Sequence, residues 1–213
     1  MKLTLYLDVL SLWCLYAMDA VERLAREMGP ALEVAWRPAP IRGDRPLGYG
    51  REQNAYFYRR AEALTDQALD PHWFEGPLTG TREANLAAVA AAELGHPGLA
   101  VPAALMRAAM VEGRHVARRA VAIEVAAEAT GLDPHALDDA MDDRRIIARL
   151  AAGNREMAAL GAQVRPALLL ENRIPDRAVL SGVWCYDAIA PLARAMQRDE
   201  ERFLAYVAEH PEP

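Results

Sequence analysis

The sequence predicts an α/β protein in which one mixed sheet is interrupted along the chain by a large all-helical insertion. Three observations predict this fold class. Apolar residues alternate with polar ones near the N-terminus, about a hundred central residues are alanine-rich with helical spacing, and two short apolar runs precede a final amphipathic segment. A βαβ unit and a ββα unit each leave an apolar face uncovered, so we expect the two units to share one sheet.

The N-terminal unit begins with a strand over residues 3–9, where leucine and valine alternate with other residues. The period then changes, because apolar residues recur at helical spacing over residues 14–28 before Gly29 and Pro30 end the helix. Residues 32–36 alternate again. A strand, a helix and a second strand in close succession predict a βαβ unit whose strands are parallel.

The insertion follows a loop rich in glycine and proline at residues 41–50. About five helices are predicted from there to residue 150, because the segment is rich in alanine and is broken by glycine and proline. One helix start is well marked. Asp133 is expected to be its N-cap, with Pro134 at the first helical position.

The C-terminal unit begins with short apolar runs at residues 167–170 and 178–181, which predict two strands. Gly182 then breaks the pattern, and an amphipathic helix is predicted over residues 184–208. The chain therefore divides into a discontinuous sheet domain, residues 1–41 and 151–213, and a helical insertion domain, residues 42–150.

The composition is that of an ordinary globular chain of 213 residues, with 53% hydrophobic and 25% charged residues. Its 24 basic and 30 acidic residues are spread along the sequence without a basic block, which argues against nucleic acid or an anionic membrane as a partner. No apolar stretch of about 18 residues is present, and residues 1–8 alternate instead of forming an apolar signal region. We therefore expect a cytoplasmic protein that binds neither nucleic acid nor membrane.

Metal sites and disulfide scaffolds have no support in the sequence. The two cysteines, Cys14 and Cys185, are too few for a disulfide framework, and no cysteine or histidine lies at zinc-ligand spacing from either. The five histidines are scattered, and none has a second histidine one helical turn away. We expect no metal, and any redox chemistry would have to use these two thiols.

Two segments resemble a known family. Residues 8–15 read D-V-L-S-L-W-C-L at the predicted turn from strand to helix. This run resembles the Asp-Phe-x-Cys-Pro-Trp-Cys-Tyr motif of the DsbA-like thioredoxin-fold superfamily, or the Ser-Pro-Tyr version in its 2-hydroxychromene-2-carboxylate isomerase and kappa-class glutathione transferase branches. Residues 164–168, V-R-P-A-L, are similar to the cis-proline segment of that family. Residues 36–38 and 131–133 are weaker similarities.

The resemblance covers nearly the whole chain and implies a thioredoxin fold with a helical insertion. It also implies a homodimer, and glutathione or another low-molecular-weight thiol as cofactor. In dithiol members the first cysteine of the motif lies at the N-terminus of the helix, where free N–H groups favour a thiolate. Ser11 occupies that position here.

Ser11 changes the chemistry that the motif can perform. A serine hydroxyl has no accessible anion near neutral pH and forms no disulfide, so two-cysteine exchange through this motif is excluded. Ser11 can instead donate a hydrogen bond to a thiolate or oxyanion, a contact worth about 1.5–3 kcal/mol. The resemblance implies this use, as in the isomerase and transferase branches. The alternative is that Ser11 only caps the helix.

Cys14 and the proline segment complete the expected site. Cys14 holds the second-cysteine position and shares a helix face with Met18, so it is either a small core residue or a thiol reachable from solvent. Pro166 is expected to follow a cis peptide bond, and in the family its loop binds an extended substrate or glutathione. Arg165 would favour a thiolate, carboxylate or phenolate nearby, unless its side chain extends into solvent.

The loop at residues 181–186 should lie beside the same site. Val183 and Trp184 stand where the resemblance places polar residues that hold the glutamyl end of glutathione. Trp13 and Trp184, with Tyr186 as a third candidate, would form an apolar rim suited to an aromatic ligand, or would simply fill the core. Residues 56–60, Y-F-Y-R-R, faintly resemble a stretch that lines the site in the isomerase branch. The main interpretation of these residues is an amphipathic helix face with a solvated basic pair.

These residues predict an enzyme of the DsbA-like oxidoreductase and isomerase type that acts on a small thiol-linked or acidic aromatic molecule by isomerisation or transfer. Ser11 and Cys14 are the candidate catalytic residues, and the candidate substrate-binding residues are Trp13, Arg165, Pro166, Val183 and Trp184. Two alternatives stay open. One is thiol–disulfide exchange through Cys14, alone or with Cys185. The other is a ligand- or partner-binding module without turnover.

Overall fold

The computed structural model describes residues 1–41, 51–74 and 80–211, with only the backbone of residue 51. Its elements follow the predicted order. The strands are β1 (Lys2–Leu7), β2 (Glu33–Pro38), β3 (Ala167–Glu171) and β4 (Arg177–Ser181). The helices are α1 (Leu12–Met28), α2 (Arg51–Leu64), α3 (Arg82–Glu93), α4 (Ala100–Met110), α5 (Arg119–Thr130), α6 (Pro134–Met141), α7 (Arg144–Ala159) and α8 (Tyr186–Glu209).

The four strands form one mixed sheet in the order β2-β1-β3-β4. β1 runs parallel to β2 and antiparallel to β3, and β3 pairs antiparallel with β4. Leu5 of β1 lies opposite Trp36 on one side and Leu168 on the other. The βαβ and ββα units therefore share a sheet across the helical insertion, which confirms the predicted fold class.

Each face of the sheet buries a different set of side chains, because successive residues of a strand point to opposite faces. Leu5 and Leu7 are fully buried in the main core, which also contains residues of α1 and α8. Tyr6 and Leu169 belong to a second cluster with Met157 of α7. The sheet thus packs against α1 and α8 on one face and against α7 on the other.

Helix α7 joins the insertion to the sheet without a break. Ile146 and Leu150, in its first half, belong to the main core, whereas Met157 belongs to the cluster on the sheet. Gly153 lies so close to β2 that a Cβ atom there would be 1.9 Å from the Pro38 carbonyl oxygen. The predicted domain boundary at residue 150 falls inside this helix, so the two predicted domains are connected here by continuous helix.

Hydrogen bonds at the element ends explain where the elements start and stop. The predicted cap at Asp133 is confirmed, since its side chain accepts a hydrogen bond from the His135 N–H at 3.0 Å. The first strand was predicted to reach Val9 but ends at Leu7, because the Ser11 N–H donates to the Asp8 carbonyl and turns the chain. Beyond residue 41, the predicted glycine-rich loop lies outside the described residues.

Helix α8 is the longest helix in the described ranges, with 24 residues. Ile189, Ala193 and Met196 of its first half are buried, whereas Phe203 and Tyr206 near its end are exposed. None of the helices in the described ranges combines the length and the apolar character that a membrane crossing requires.

Candidate active site

The buried carboxylate of Asp8 holds the turn between β1 and α1. Its Oδ1 accepts hydrogen bonds from the Leu10 N–H at 2.8 Å and from the Asn85 side-chain amide at 3.1 Å. Its Oδ2 accepts one from the Ile41 N–H at 2.6 Å. Burial raises the pKa of this carboxyl, and the hydrogen bonds partly offset that effect. Asp8 therefore ties the start of α1 to α3 and to the chain that follows β2.

Ser11 is the N-cap residue of α1 and is 7% exposed. Its carbonyl accepts the N–H of Cys14 at 2.9 Å, as the first turn of a helix requires. Its hydroxyl makes no capping hydrogen bond to α1, so the alternative of a simple cap does not describe this side chain. The hydroxyl lies at the positive end of the helix dipole, where backbone N–H groups favour an anion.

Cys14 is a free thiol that is fully buried. Burial raises the pKa of the thiol to about 12, although hydrogen bonds with Ser11 and the Asp8 backbone and the charge of Arg165 act in the opposite direction. A thiol with so high a pKa stays protonated near neutral pH. Of the two interpretations of Cys14, the structure supports the inert core residue.

The Arg165–Pro166 peptide bond is cis, as predicted. The loop that contains it is fixed to the end of β4. The N–H groups of Gln163 and Val164 each donate to the Ser181 hydroxyl oxygen at 3.3 Å, and the Gly182 N–H donates to the Pro166 carbonyl at 2.8 Å. These bonds hold the proline loop in place beside the start of α1.

The side chain of Arg165 is anchored on the protein and does not extend into solvent, which corrects that alternative. Its Nε donates to the Ala39 carbonyl at 2.5 Å, and its Nη2 donates to the Pro40 carbonyl at 3.3 Å and to the Asn154 side-chain oxygen. Asn154 Nδ2 in turn donates to the Pro40 carbonyl at 3.0 Å. The guanidinium is thus fixed between the end of β2 and α7, close enough to lower the pKa of Cys14.

A cavity of about 310 Å³ joins these groups, a volume within the range of small-molecule sites. It brings together the two residues whose proximity the sequence predicted, Ser11 and Arg165. Helix α2 of the insertion contributes a further part of the lining. The lining includes Ser11, Trp13, Asn54, Phe57, Val164 and Arg165.

Trp13 connects the cavity to an aromatic cluster. The ring centroid of Trp13 is 5.3 Å from that of Trp184 and 6.4 Å from that of Phe57, which meets it edge-on. The ring of Trp184 also packs on Tyr16, with centroids 5.6 Å apart. The guanidinium carbon of Arg60 lies over the Trp13 ring, 4.7 Å from its centroid. The predicted pairing of Trp13 with Trp184 is therefore present, with Trp13 facing the cavity.

The loop after β4 contributes less than the sequence suggested. Val183 is half-buried against the main core. The Tyr186 hydroxyl donates to the Glu27 carboxylate, and Arg23 lies 3.8 Å from the centre of its ring. Tyr186 thus belongs to a polar network between α1 and α8 and not to the aromatic rim. Cys185, the N-cap residue of α8, is a half-buried free thiol.

The contribution of α2 agrees with the fainter of the two interpretations of residues 56–60, a stretch that lines the site, and corrects the main one, an amphipathic face with a solvated basic pair. Phe57 lines the cavity, and Arg60 lies on Trp13. Gln53 and Asn54, also in the lining, had not been considered. Helical spacing places Asn54, Phe57 and Arg60 on one side of α2, and this pattern is the signal that could have identified them.

Comparison with known proteins adds a family match. A family model described as DSBA-like thioredoxin domain matches residues 2–197. The chain is similar to the solved structure of the cytosolic disulfide reductase DsbM from Pseudomonas aeruginosa, with 26% identity and a TM-score of 0.76 over 95% of this chain and 100% of that one. The structure of that reductase with GSH also has 26% identity, with a TM-score of 0.74.

Two further solved structures share the fold at lower identity. A 2-hydroxychromene-2-carboxylate isomerase has 15% identity and a TM-score of 0.63, covering 97% of this chain and 99% of that one. A thioredoxin-like oxidoreductase from Silicibacter pomeroyi DSS-3 has 21% identity and a TM-score of 0.59, covering 92% of this chain and 86% of that one. At these identities the similarity shows the fold alone. Comparison with curated protein sequences finds no match.

Proposed function

Because the chain belongs to the family of DSBA-like thioredoxin domains, we propose that it is an enzyme of the oxidoreductase and isomerase type that uses a bound small thiol in place of a thiol of its own. The observation that carries this proposal is a hydroxyl at the active-site end of α1. Ser11 opens onto the cavity where dithiol relatives need a cysteine, while Cys14 is fully buried behind it. Both features favour a reacting sulfur that comes from a ligand.

Glutathione, or another low-molecular-weight thiol, fits this site. Its sulfur would lie at the N-terminus of α1, where the Ser11 hydroxyl donates to the thiolate. The helix dipole and the anchored charge of Arg165 both favour the ionised sulfur, so the pKa of the bound thiol should fall. The similarity to a cytosolic reductase whose structure was solved with GSH supports both the choice of thiol and a cytoplasmic location.

The second reactant is an electrophilic, acidic aromatic molecule. The thiolate forms a C–S bond with its lone pair, and the π electrons of the attacked double bond move to a conjugated carbonyl oxygen. In isomerisation the adduct first rotates about the bond that the attack has made single, and then those electrons return, the C–S bond breaks and the thiol leaves unchanged. In transfer a leaving group departs with its electron pair and the C–S bond remains. Neither course needs a thiolate at Cys14, whose burial also disfavours thiol–disulfide exchange through that residue.

Glutathione titration by calorimetry tests the proposal, with Ser11→Ala as the key variant. Loss of a charge-assisted hydrogen bond of about 1.5–3 kcal/mol should weaken binding roughly 10- to 100-fold. Ser11→Thr keeps a hydroxyl and should restore much of the affinity. S-methylglutathione has no ionisable thiol, so its affinity should be similar for wild type and Ser11→Ala. Equal glutathione affinity in both proteins, or no binding at millimolar thiol, would refute the proposal.

A further inference from the structure

We propose that the last nine residues of α8 form an arm that packs against the same arm of a second copy of this chain, through Phe203, Leu204 and Val207. The arm is residues 201–209. Helix α8 begins at Tyr186, beside the aromatic cluster of the site, and the arm starts about 22 Å further along the helix axis. The inference therefore goes beyond the proposed function and does not depend on it.

The arm projects beyond the body of the protein. Glu200 is the last buried residue of α8, and its carboxylate accepts a hydrogen bond from the Arg173 N–H at 2.7 Å, which fixes the helix to the turn between β3 and β4. Every residue of the arm is exposed except Leu204, which is half-buried. Phe203 is 51% exposed and Tyr206 is 59% exposed. A group of large apolar side chains on one exposed surface marks a site of interaction.

The apolar residues of the arm continue the buried stripe of α8. Ala193, Met196 and Glu200 are buried at intervals of three and four residues, and Phe203 and Val207 follow at the same intervals. An apolar position every 3.5 residues on average is the seam along which two helices pack. The first part of this seam is covered by the core, whereas Phe203 and Val207 are left exposed.

A second copy fits this seam because the arm is complementary to itself. If two arms pack antiparallel about a two-fold axis, Phe203 of each copy faces Val207 of the other, and the two Leu204 side chains lie near the axis. The same alignment brings Arg202 of each copy towards Glu209 of the other. Neither of these charges has an ion-pair partner within the described ranges, and a parallel alignment would place like charges together.

The charge of this part of α8 favours a protein partner over an anionic membrane. Residues 198–209 contain two arginines and four acidic residues, so their net charge is 2 minus 4, or −2. Helices that lie on anionic membranes carry an excess of lysine and arginine on the polar face. A helix with alternating charge and a narrow apolar seam is instead typical of helix pairs.

Sedimentation velocity from about 1 to about 200 μM protein tests the arm. Two arms form a small interface, so we expect a monomer–dimer equilibrium with a dissociation constant of about 10 μM. Phe203→Glu places like charges in the seam and should raise this constant roughly tenfold or more. Leu64→Glu is the matched control, because Leu64 is 55% exposed near the end of α2, and it should change the constant less than about twofold. Both variants alter exposed side chains and should keep the melting temperature within about 2 °C of wild type.

A charge exchange tests the antiparallel alignment. Arg202→Glu and Glu209→Arg should each weaken the dimer about threefold or more, and the double variant should recover most of the wild-type affinity because the pair is restored with its signs reversed. A wild-type protein that stays monomeric up to about 200 μM would overturn the inference. Equal dimerisation of Phe203→Glu and wild type would also overturn it, as would a double variant weaker than either single one.

Discussion

The two walls of the cavity are built on different principles. In the wall contributed by the sheet half, Arg165 is paired within the protein, since it donates to two carbonyls and to Asn154. Asp8, which is buried outside the lining, accepts three hydrogen bonds that hold the start of α1 in this wall. In the wall contributed by α2, Asn54 has an unpaired amide among the described residues, and Arg60 is held by an aromatic ring. The sheet wall is therefore preorganised, whereas the α2 wall keeps its polar groups available for a ligand.

This difference assigns different tasks to the two walls. Groups that are fixed before binding lose little conformational freedom when a thiolate arrives, which suits the part of the site that ionises the thiol. Changes in the sheet wall should therefore affect folding stability and thiol chemistry together. Changes at exposed positions of α2 should alter ligand preference with little effect on stability. The predictions below test the first half of this comparison.

The largest expected effect concerns the reactivity of Cys14, which is fully buried behind Ser11. At pH 8 its thiol, with a pKa of about 12, should react with iodoacetamide roughly a thousandfold more slowly than an ordinary free thiol. Peptide mapping by mass spectrometry distinguishes it from Cys185, which is only half-buried and should be labelled first. Both cysteines should react readily in urea. Rapid labelling of Cys14 in the native protein would reopen the redox alternative.

The next effect tests whether the close contact of α7 with β2 positions Arg165. In Gly153→Ala the new Cβ would meet the Pro38 carbonyl oxygen, a backbone atom that cannot rotate away. Helix α7 must then move, and it carries the neighbouring Asn154, which accepts from Arg165. We expect a loss of about 3 kcal/mol or more in the free energy of unfolding, measured by urea denaturation. Glutathione should also bind more weakly.

Gly98→Ala is the matched control for that substitution. A Cβ at Gly98 would meet no heavy atom within 4 Å, so its free energy of unfolding should stay within about 0.5 kcal/mol of wild type. Similar losses of unfolding free energy in Gly153→Ala and Gly98→Ala would show that the contact between α7 and β2 has no special role. The sheet wall would then not be more rigid than the α2 wall.

The sheet wall could be predicted from the sequence because its residues lie at the ends of strands with clear patterns. Ser11 follows the alternation of β1, and Pro166 directly precedes the apolar run of β3, so the pairing of these strands brings the two residues together. The same reasoning could not reveal the anchoring of Arg165. Its partners, Ala39 and Asn154, are set by how the end of β2 and α7 pack, and no local pattern encodes that packing.

The α2 wall could be predicted only in part, for a related reason. Asn54 and Arg60 are ordinary residues for a helix surface, and a solvated face is the usual interpretation of such a pattern. What makes them different is the orientation of α2 relative to Trp13, which depends on tertiary contacts. One such contact is the hydrogen bond from the Trp73 indole N–H to the Tyr58 hydroxyl. A sequence pattern can give the face of a helix, but not the surface that this face meets.

The smallest of the three effects comes from Asp8→Asn, which tests the clamp at the start of α1. An amide nitrogen has no lone pair to accept a hydrogen bond, so one of the three donors around Asp8 would lose its acceptor. We expect a cost of about 2 kcal/mol in the free energy of unfolding at pH 4.5. Asp19→Asn is the matched control, because Asp19 lies on α1 in a surface pair with Arg107 and should contribute less than about 1 kcal/mol.

The pH dependence of that cost separates a buried carboxyl from a surface one. Burial raises the pKa of Asp8, so the folded state keeps the proton of this group at a pH where the unfolded chain has lost it. Its contribution to stability is therefore full below the unfolded pKa and declines as pH rises through the folded pKa. The difference between wild type and Asp8→Asn, followed by urea denaturation from pH 4.5 to 8, should shrink with rising pH. If the difference grows with pH, the three hydrogen bonds lower the pKa of Asp8 more than burial raises it. The start of α1 would then be held by the carboxylate form of Asp8.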